Sequence, residues 1–117
     1  MKVKYKEIVK ANEPLMALAK EKVTVKEAVS IARLIKAFKD EITIYQEKER
    51  ELVEKYGEVE EKGRFFIKNE VMSDFDKEFG ELLDFDVELN IEPIKLVSDI
   101  QIDADTVIAV EKFIDFE

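Results

Sequence analysis

The sequence predicts an α+β fold: an N-terminal antiparallel helical hairpin with a long second helix, plus a small antiparallel β-sheet and two short helices. Three observations carry that reading. Residues 24–56 form a stretch of 33 without Gly or Pro, and its apolar residues Ala28, Ile31, Ile35, Phe38, Ile42, Tyr45, Leu52 and Tyr56 recur on a 3-4 spacing broken only at Glu49. That is the pattern of one helix whose narrow seam meets another helix. Residues 86–91 alternate instead, with Val87, Leu89 and Ile91 on one side and Asp86, Glu88 and Asn90 on the other, as in a half-buried strand. Finally, three Gly and two Pro among 117 residues leave little of the chain for irregular structure.

Each element follows in order. Residues 2–6 alternate, with Val3 and Tyr5 on one side. A first helix over 6–21 has Ile8, Ala11, Leu15, Leu18 and Ala19 as its stripe. Pro14 lies inside it and predicts a kinked or two-piece helix, the second piece starting at Asn12 as cap. Lys22 and Val23 make a tight connection, which sets the two helices antiparallel. Thr24 and Glu27 have the spacing of a capping box, and Gly57 ends the long helix, free to turn left-handed. At 1.5 Å per residue the rod is roughly 50 Å long, against a radius of gyration near roughly 13 Å for a compact domain of this size. The first helix covers half of it. Ile42, Tyr45, Leu52, Val53 and Tyr56 then need cover from the carboxyl half or from a second chain.

Beyond a charged loop over 58–63, residues 64–69 read as a strand carrying Phe65, Phe66 and Ile67. Ser73, with Asp76 behind it, caps a short helix to Leu83 whose face is Phe75, Phe79, Leu82 and Leu83. Pro93 makes the strand over 86–91 an edge or a bend, continued by Ile94, Leu96 and Val97. Asp103 or Asp105 caps a last helix to Ile114, with Val107, Ile108, Val110 and Phe113 apolar. The whole reads as a single domain over 1–117, with the helical hairpin at 6–56 and an α/β part at 64–117.

Composition narrows function. With no Cys and no His, disulfides, thiolate metal sites and the commonest general base are excluded, and the chain fits a cytoplasmic protein. No run of 18 apolar residues suggests a membrane span, and the charged first ten residues do not read as a secretory signal. The three Gly stand alone at 57, 63 and 80, so no phosphate loop exists, and Ser30, Ser73 and Ser98 lack a His to activate them. The net charge of −9 is polarised: residues 1–39 hold ten Lys/Arg against four Glu, and residues 40–117 hold nine against 24 Asp/Glu. The ends can attract each other within one fold or between subunits, the acidic end can imitate a nucleic-acid backbone, or the basic end can bind nucleic acid, which the overall charge opposes.

Acidic clusters are the only candidates for chemistry. Asp84, Asp86 and Glu88 share a strand face and offer oxygen to a hard cation, or else form a solvated face opposite Val87 and Leu89. Asp74 with Asp76, and Asp103 with Asp105, read as helix starts. No calcium-loop pattern is present, and no catalytic residue, metal ligand or cofactor is expected. Arg64, Phe65 and Phe66 read as core packing before base stacking. Tyr45 and Tyr56 are either core or partner anchors. Glu49 either drifts outward as 3.6 outruns 3.5, the preferred reading, or sets register in a helix–helix contact.

The run Leu82-Leu83-Asp84-Phe85-Asp86-Val87-Glu88-Leu89-Asn90-Ile91-Glu92-Pro93-Ile94-Lys95-Leu96, followed by a short closing helix and preceded by a helical hairpin, resembles small uncharacterised phage and prophage proteins of Gram-positive bacteria. The resemblance is one of layout and covers most of the chain. It implies a phage protein with a non-enzymatic role in the host bacterial cytoplasm. The functional expectation is therefore a protein-interaction protein that binds another protein or itself, through the seam residues Ile42, Tyr45, Glu49, Leu52, Val53 and Tyr56 and an acidic surface. Direct nucleic-acid or membrane binding is not expected. The alternatives are an acidic nucleic-acid mimic that inhibits a host defence or DNA-processing protein, and a divalent-metal-dependent enzyme.

Overall fold

The computed structural model describes residues 1–116; Glu117, the last residue of the expected α/β part, lies outside them. The chain runs β1 (Lys2–Lys4), α1 (Tyr5–Leu18), α2 (Val25–Tyr56), β2 (Gly57–Val59), β3 (Phe65–Ile67), α3 (Asn69–Leu83), β4 (Asp86–Glu88), β5 (Ile94–Leu96), α4 (Ala104–Val110) and β6 (Ile114–Phe116). The α+β class and the long second helix are as expected. α2 is unbroken over 32 residues and spans the molecule, whose longest dimension is 51 Å against 29 and 23 Å across. The radius of gyration of 17.4 Å is well above the compact value, so the rod does protrude.

α2 starts where its capping box places it. The Thr24 hydroxyl accepts from the Glu27 backbone N–H at 3.2 Å, and the Glu27 carboxylate accepts from the Thr24 N–H at 3.1 Å. Its end differs from expectation. Gly57 has φ −85° and ψ 155°, so the helix passes directly into β2 without a left-handed cap. Gly is still required, because a Cβ there would run into the Val53 carbonyl oxygen. The left-handed glycine is Gly63, at φ 79° in the turn between β2 and β3.

Further boundaries shift, each for a physical reason. α1 is one piece starting at Tyr5 and carries Pro14 inside it; neither the break nor the Asn12 cap forms, because burial of Ile8, Ala11, Leu15 and Leu18 on one stripe holds both turns in register. α3 begins at Asn69 and not at Ser73, with Lys68 at the cap position and no side-chain cap hydrogen bond to mark the start. Part of the expected charged loop is the strand β2, paired with β3 in register Glu58↔Phe66. The last helix stops at Val110, and Ile114 belongs to a strand.

The single small sheet is instead three two-stranded ribbons: β1 with β4 antiparallel, β2 with β3 antiparallel, and β5 with β6 parallel. Pro93 explains the separation. It follows β4 without a donor for a ladder, and after the bend β5 finds a new partner at Ile94↔Ile114. Two-residue periodicity holds in β1, β4 and β5, with Val3, Val87, Leu89, Ile94 and Leu96 all buried, and fails in the β2–β3 ribbon.

The core sits at one end. Ile8, Leu15 and Leu18 of α1, Ile31, Leu34 and Phe38 of α2, and Val110, Phe113 and Ile114 form one cluster with the buried strand residues. Phe38 and Phe113 meet edge to face at 4.9 Å. No residue of α3 is buried.

Candidate interaction surface

The outer half of α2, α3 and the β2–β3 hairpin together form an arm. Its apolar contacts are real but thin. The Tyr56 ring meets Phe75 edge-on at 6.2 Å, and Phe75 stacks on Phe79 at 5.7 Å. Lys55 on α2 pairs with Glu78 on α3 at 3.0 Å and lies 5.1 Å from the Tyr56 ring centre. The Tyr56 hydroxyl, then the Lys55 ammonium, hold Glu78 below its ordinary carboxylate range. Glu78 in turn raises Lys55. Leu52, Val53, Tyr56, Phe75, Phe79 and Leu82 are all only half-buried.

The sequence-predicted seam divides in two. Tyr45 is 6 % exposed, with its ring 5.7 Å from Tyr5, so it is core and is not free to anchor a partner. Burial and then the neighbouring Glu49 carboxylate push its hydroxyl up to about 12. Ile42 is half-buried against the same core, and Glu49 sits half-buried beside Tyr45 without leaving the surface. Leu52, Val53 and Tyr56 stay half-buried near the outer end of α2, where Tyr56 meets Phe75 of α3 and Leu52 lines a hollow with Glu78 and Leu82.

Beside them lies a groove of about 500 Å³ that the seam reading missed. Ile44, Leu52, Leu82, Phe85 and Tyr5 give it apolar walls; Lys48, Glu51 and Lys55 rim the α2 side, and Glu78 and Glu81 the α3 side. Phe85 stacks on Tyr5 at 5.9 Å yet remains 60 % exposed, and Ile44 is 46 % exposed. The hairpin tip adds exposed Val59, Phe65 and Phe66. Phe65 and Phe66 are therefore not core residues as expected; a two-stranded ribbon has too little behind it to bury both faces. Ile44 falls outside the 3-4 seam, so heptad spacing gave no reason to single it out. Its own spacing to Lys48, Glu51, Leu52 and Lys55 was the available signal.

Charge is partly consumed within the fold. Lys6 lies 3.0 Å from Asp84, Lys4 3.5 Å and Lys2 3.7 Å from Asp86, and the amino-terminal ammonium 3.2 Å from Glu88. Lys6 draws Asp84 below its usual range. The candidate cation face thus already carries cations, and among the described residues no three acidic, His or Cys side chains converge as a metal site. Residues 41–83, the arm, keep 13 Asp/Glu against seven Lys/Arg.

One buried charge, Glu27, has a second role that spacing did not announce. Its carboxylate also accepts from the Val97 N–H at 2.7 Å, the Ser98 N–H at 3.2 Å and the Ser98 hydroxyl. These bonds, the Ser98 hydroxyl foremost, lower it to about 2. The start of α2 is thereby tied to the loop after β5.

No family model matches the chain, and no curated protein or solved structure is significantly similar to it. No helix among the described residues is long and apolar enough to cross a membrane.

Proposed function

We propose that this chain is a small non-enzymatic interaction protein that works by docking the arm onto another protein chain. One observation carries the reading. α3 is the most amphipathic of the long helices, yet none of its residues is buried, and the α2 surface it packs on is itself half exposed. An apolar helix face left partly exposed after it has packed on its neighbour is a common mark of a contact surface. The resemblance to phage proteins adds the setting, the cytoplasm of a host bacterium.

The acidic-mimic reading has less support. Asp84, Asp86 and Glu88 pair with the chain's own amino-terminal cations, which offsets part of the acidic charge a basic partner would meet. The test compares captured partners, by cross-linking and mass spectrometry in bacterial lysate, for wild type, Ile44→Asp and Phe85→Ser. Val29→Asp is the control, because Val29 is 44 % exposed but lies on the inner half of α2. Associations retained by the control and lost by both groove variants support the proposal. Folded groove variants with unchanged associations would remove it.

A further inference from the structure

Resting on the arm as the contact surface, we infer that the occupant of the groove between α2 and α3 is a second copy of this chain. The copies would be related by a two-fold axis running along the groove. The rim charges point to it. Lys48 and Lys55 stand on the α2 wall with one acid, Glu51, 3.3 Å from Lys48, so that wall is net +1; Glu78 and Glu81 make the α3 wall net −2. A two-fold axis along the groove lays α2 of one copy over α3 of the other, so the lysine wall meets the glutamate wall twice. Lys55 and Glu78 already sit at one height along the arm, as their 3.0 Å pairing shows, and this axis preserves height. Each Lys55 therefore comes level with the other copy's Glu78. An axis across the groove would instead set lysine against lysine and glutamate against glutamate. Charge thus selects one of the two symmetric arrangements.

Shape agrees. Phe85 and Ile44 are projecting apolar side chains at the edge of an apolar hollow, so the same surface offers both knob and hole, as a self-complementary contact requires. Other amphipathic helices could enter the hollow. Only a chain with the reversed wall charges matches both rims, and this chain carries that pattern on itself.

Sedimentation equilibrium of the full chain, over a wide concentration range, reads the dimer constant for four samples: wild type, Lys48→Glu with Lys55→Glu, Glu78→Lys with Glu81→Lys, and an equimolar mixture of the two double variants. Wild type is expected to dimerise. Each double variant alone should weaken the dimer more than about tenfold, since like charges then face each other, and the mixture should restore it. Far-ultraviolet circular dichroism checks that the variants fold; the Lys55–Glu78 pair they break is exposed and contributes little. A wild type that stays monomeric overturns the inference, as do double variants that dimerise like wild type. If wild type is monomeric while Ile44→Asp still loses a different partner, the second copy falls and the arm as contact surface stands.

Discussion

Replacing Phe38 by Ala should cost several times more than replacing Phe75 by Ala, although both rings lie on long helices and both meet another aromatic ring. Phe38 is fully buried and packs edge to face on Phe113, so truncation removes the whole ring from a closed core and leaves a cavity. The expected loss is about 3–5 kcal/mol. At about 4 °C per kcal/mol for a chain of this length, Tm should fall by about 12–20 °C. Phe75 is only partly buried, and water can fill the space it leaves. Its truncation should cost about 1–2 kcal/mol, roughly two-thirds of the full burial of a large apolar side chain with little cavity term. Thermal and urea unfolding at low micromolar protein measure both. A Phe75→Ala loss equal to that of Phe38→Ala in dilute solution would refute the reasoning, because it would mean that the arm possesses a closed core of its own. The Phe75 penalty should then grow with protein concentration, since a second copy covering the arm adds stability by mass action.

Three further outcomes are expected. Glu27 is lowered in the folded state from 4.5 to about 2, so its contribution is fully present above about 4.5 and disappears as the pH falls toward 2; urea midpoints of wild type and Glu27→Gln should differ at pH 6 and converge near pH 2. Gly57→Ala should destabilise by about 1–3 kcal/mol through the clash with the Val53 carbonyl, with hydrogen exchange rising first in the β2–β3 hairpin. Adding magnesium, manganese or calcium should leave Tm unchanged, because Asp84, Asp86 and Glu88 already face ammonium groups; a specific upward shift abolished by Asp86→Asn would revive the metal reading.

Much of the inner half was legible because its signals are local. Thr24 and Glu27 are three residues apart and cap α2 as read, and Val3 and Tyr5 share a buried side as their alternation says. What escaped depends on partners distant in the chain. Nothing in Gly57-Glu58-Val59 looks like a strand until Phe65–Ile67 folds back beside it. The parallel pairing of β5 with β6 joins residues twenty apart through a helix, and no pattern in Ile94–Leu96 names Ile114 as its neighbour. Glu27 reads as one half of a capping box, whereas its bonds to Val97 and Ser98 cross 70 and 71 residues. On the candidate surface, the 3-4 seam leads outward to Leu52 and Tyr56, both half-buried. It could not foresee that Tyr5 would cover Tyr45 or that Ile44 and Phe85 would open beside it, since both follow from where α1 starts and α3 ends.

The two halves of α2 should also differ in how often they open. At the inner end α2 lies under α1 and beside β5 and Phe113, so opening any one element exposes a closed core. At the outer end it has one helix and one ribbon for company, and α3 buries nothing fully. Amides of α3 and the hairpin should therefore exchange far faster than those of α1 or of α2 near Phe38, since the free energy of local opening scales with the apolar contact that opening breaks. Mass-resolved hydrogen exchange reads this directly. Dilute protein should show fast exchange over 57–83, and concentrated protein should show it slowed there and unchanged in α1. Equal protection across both halves at every dilution would mean that the arm is stable unaided, and an arm stable unaided has no physical need of the contact that its half-exposed apolar face otherwise demands.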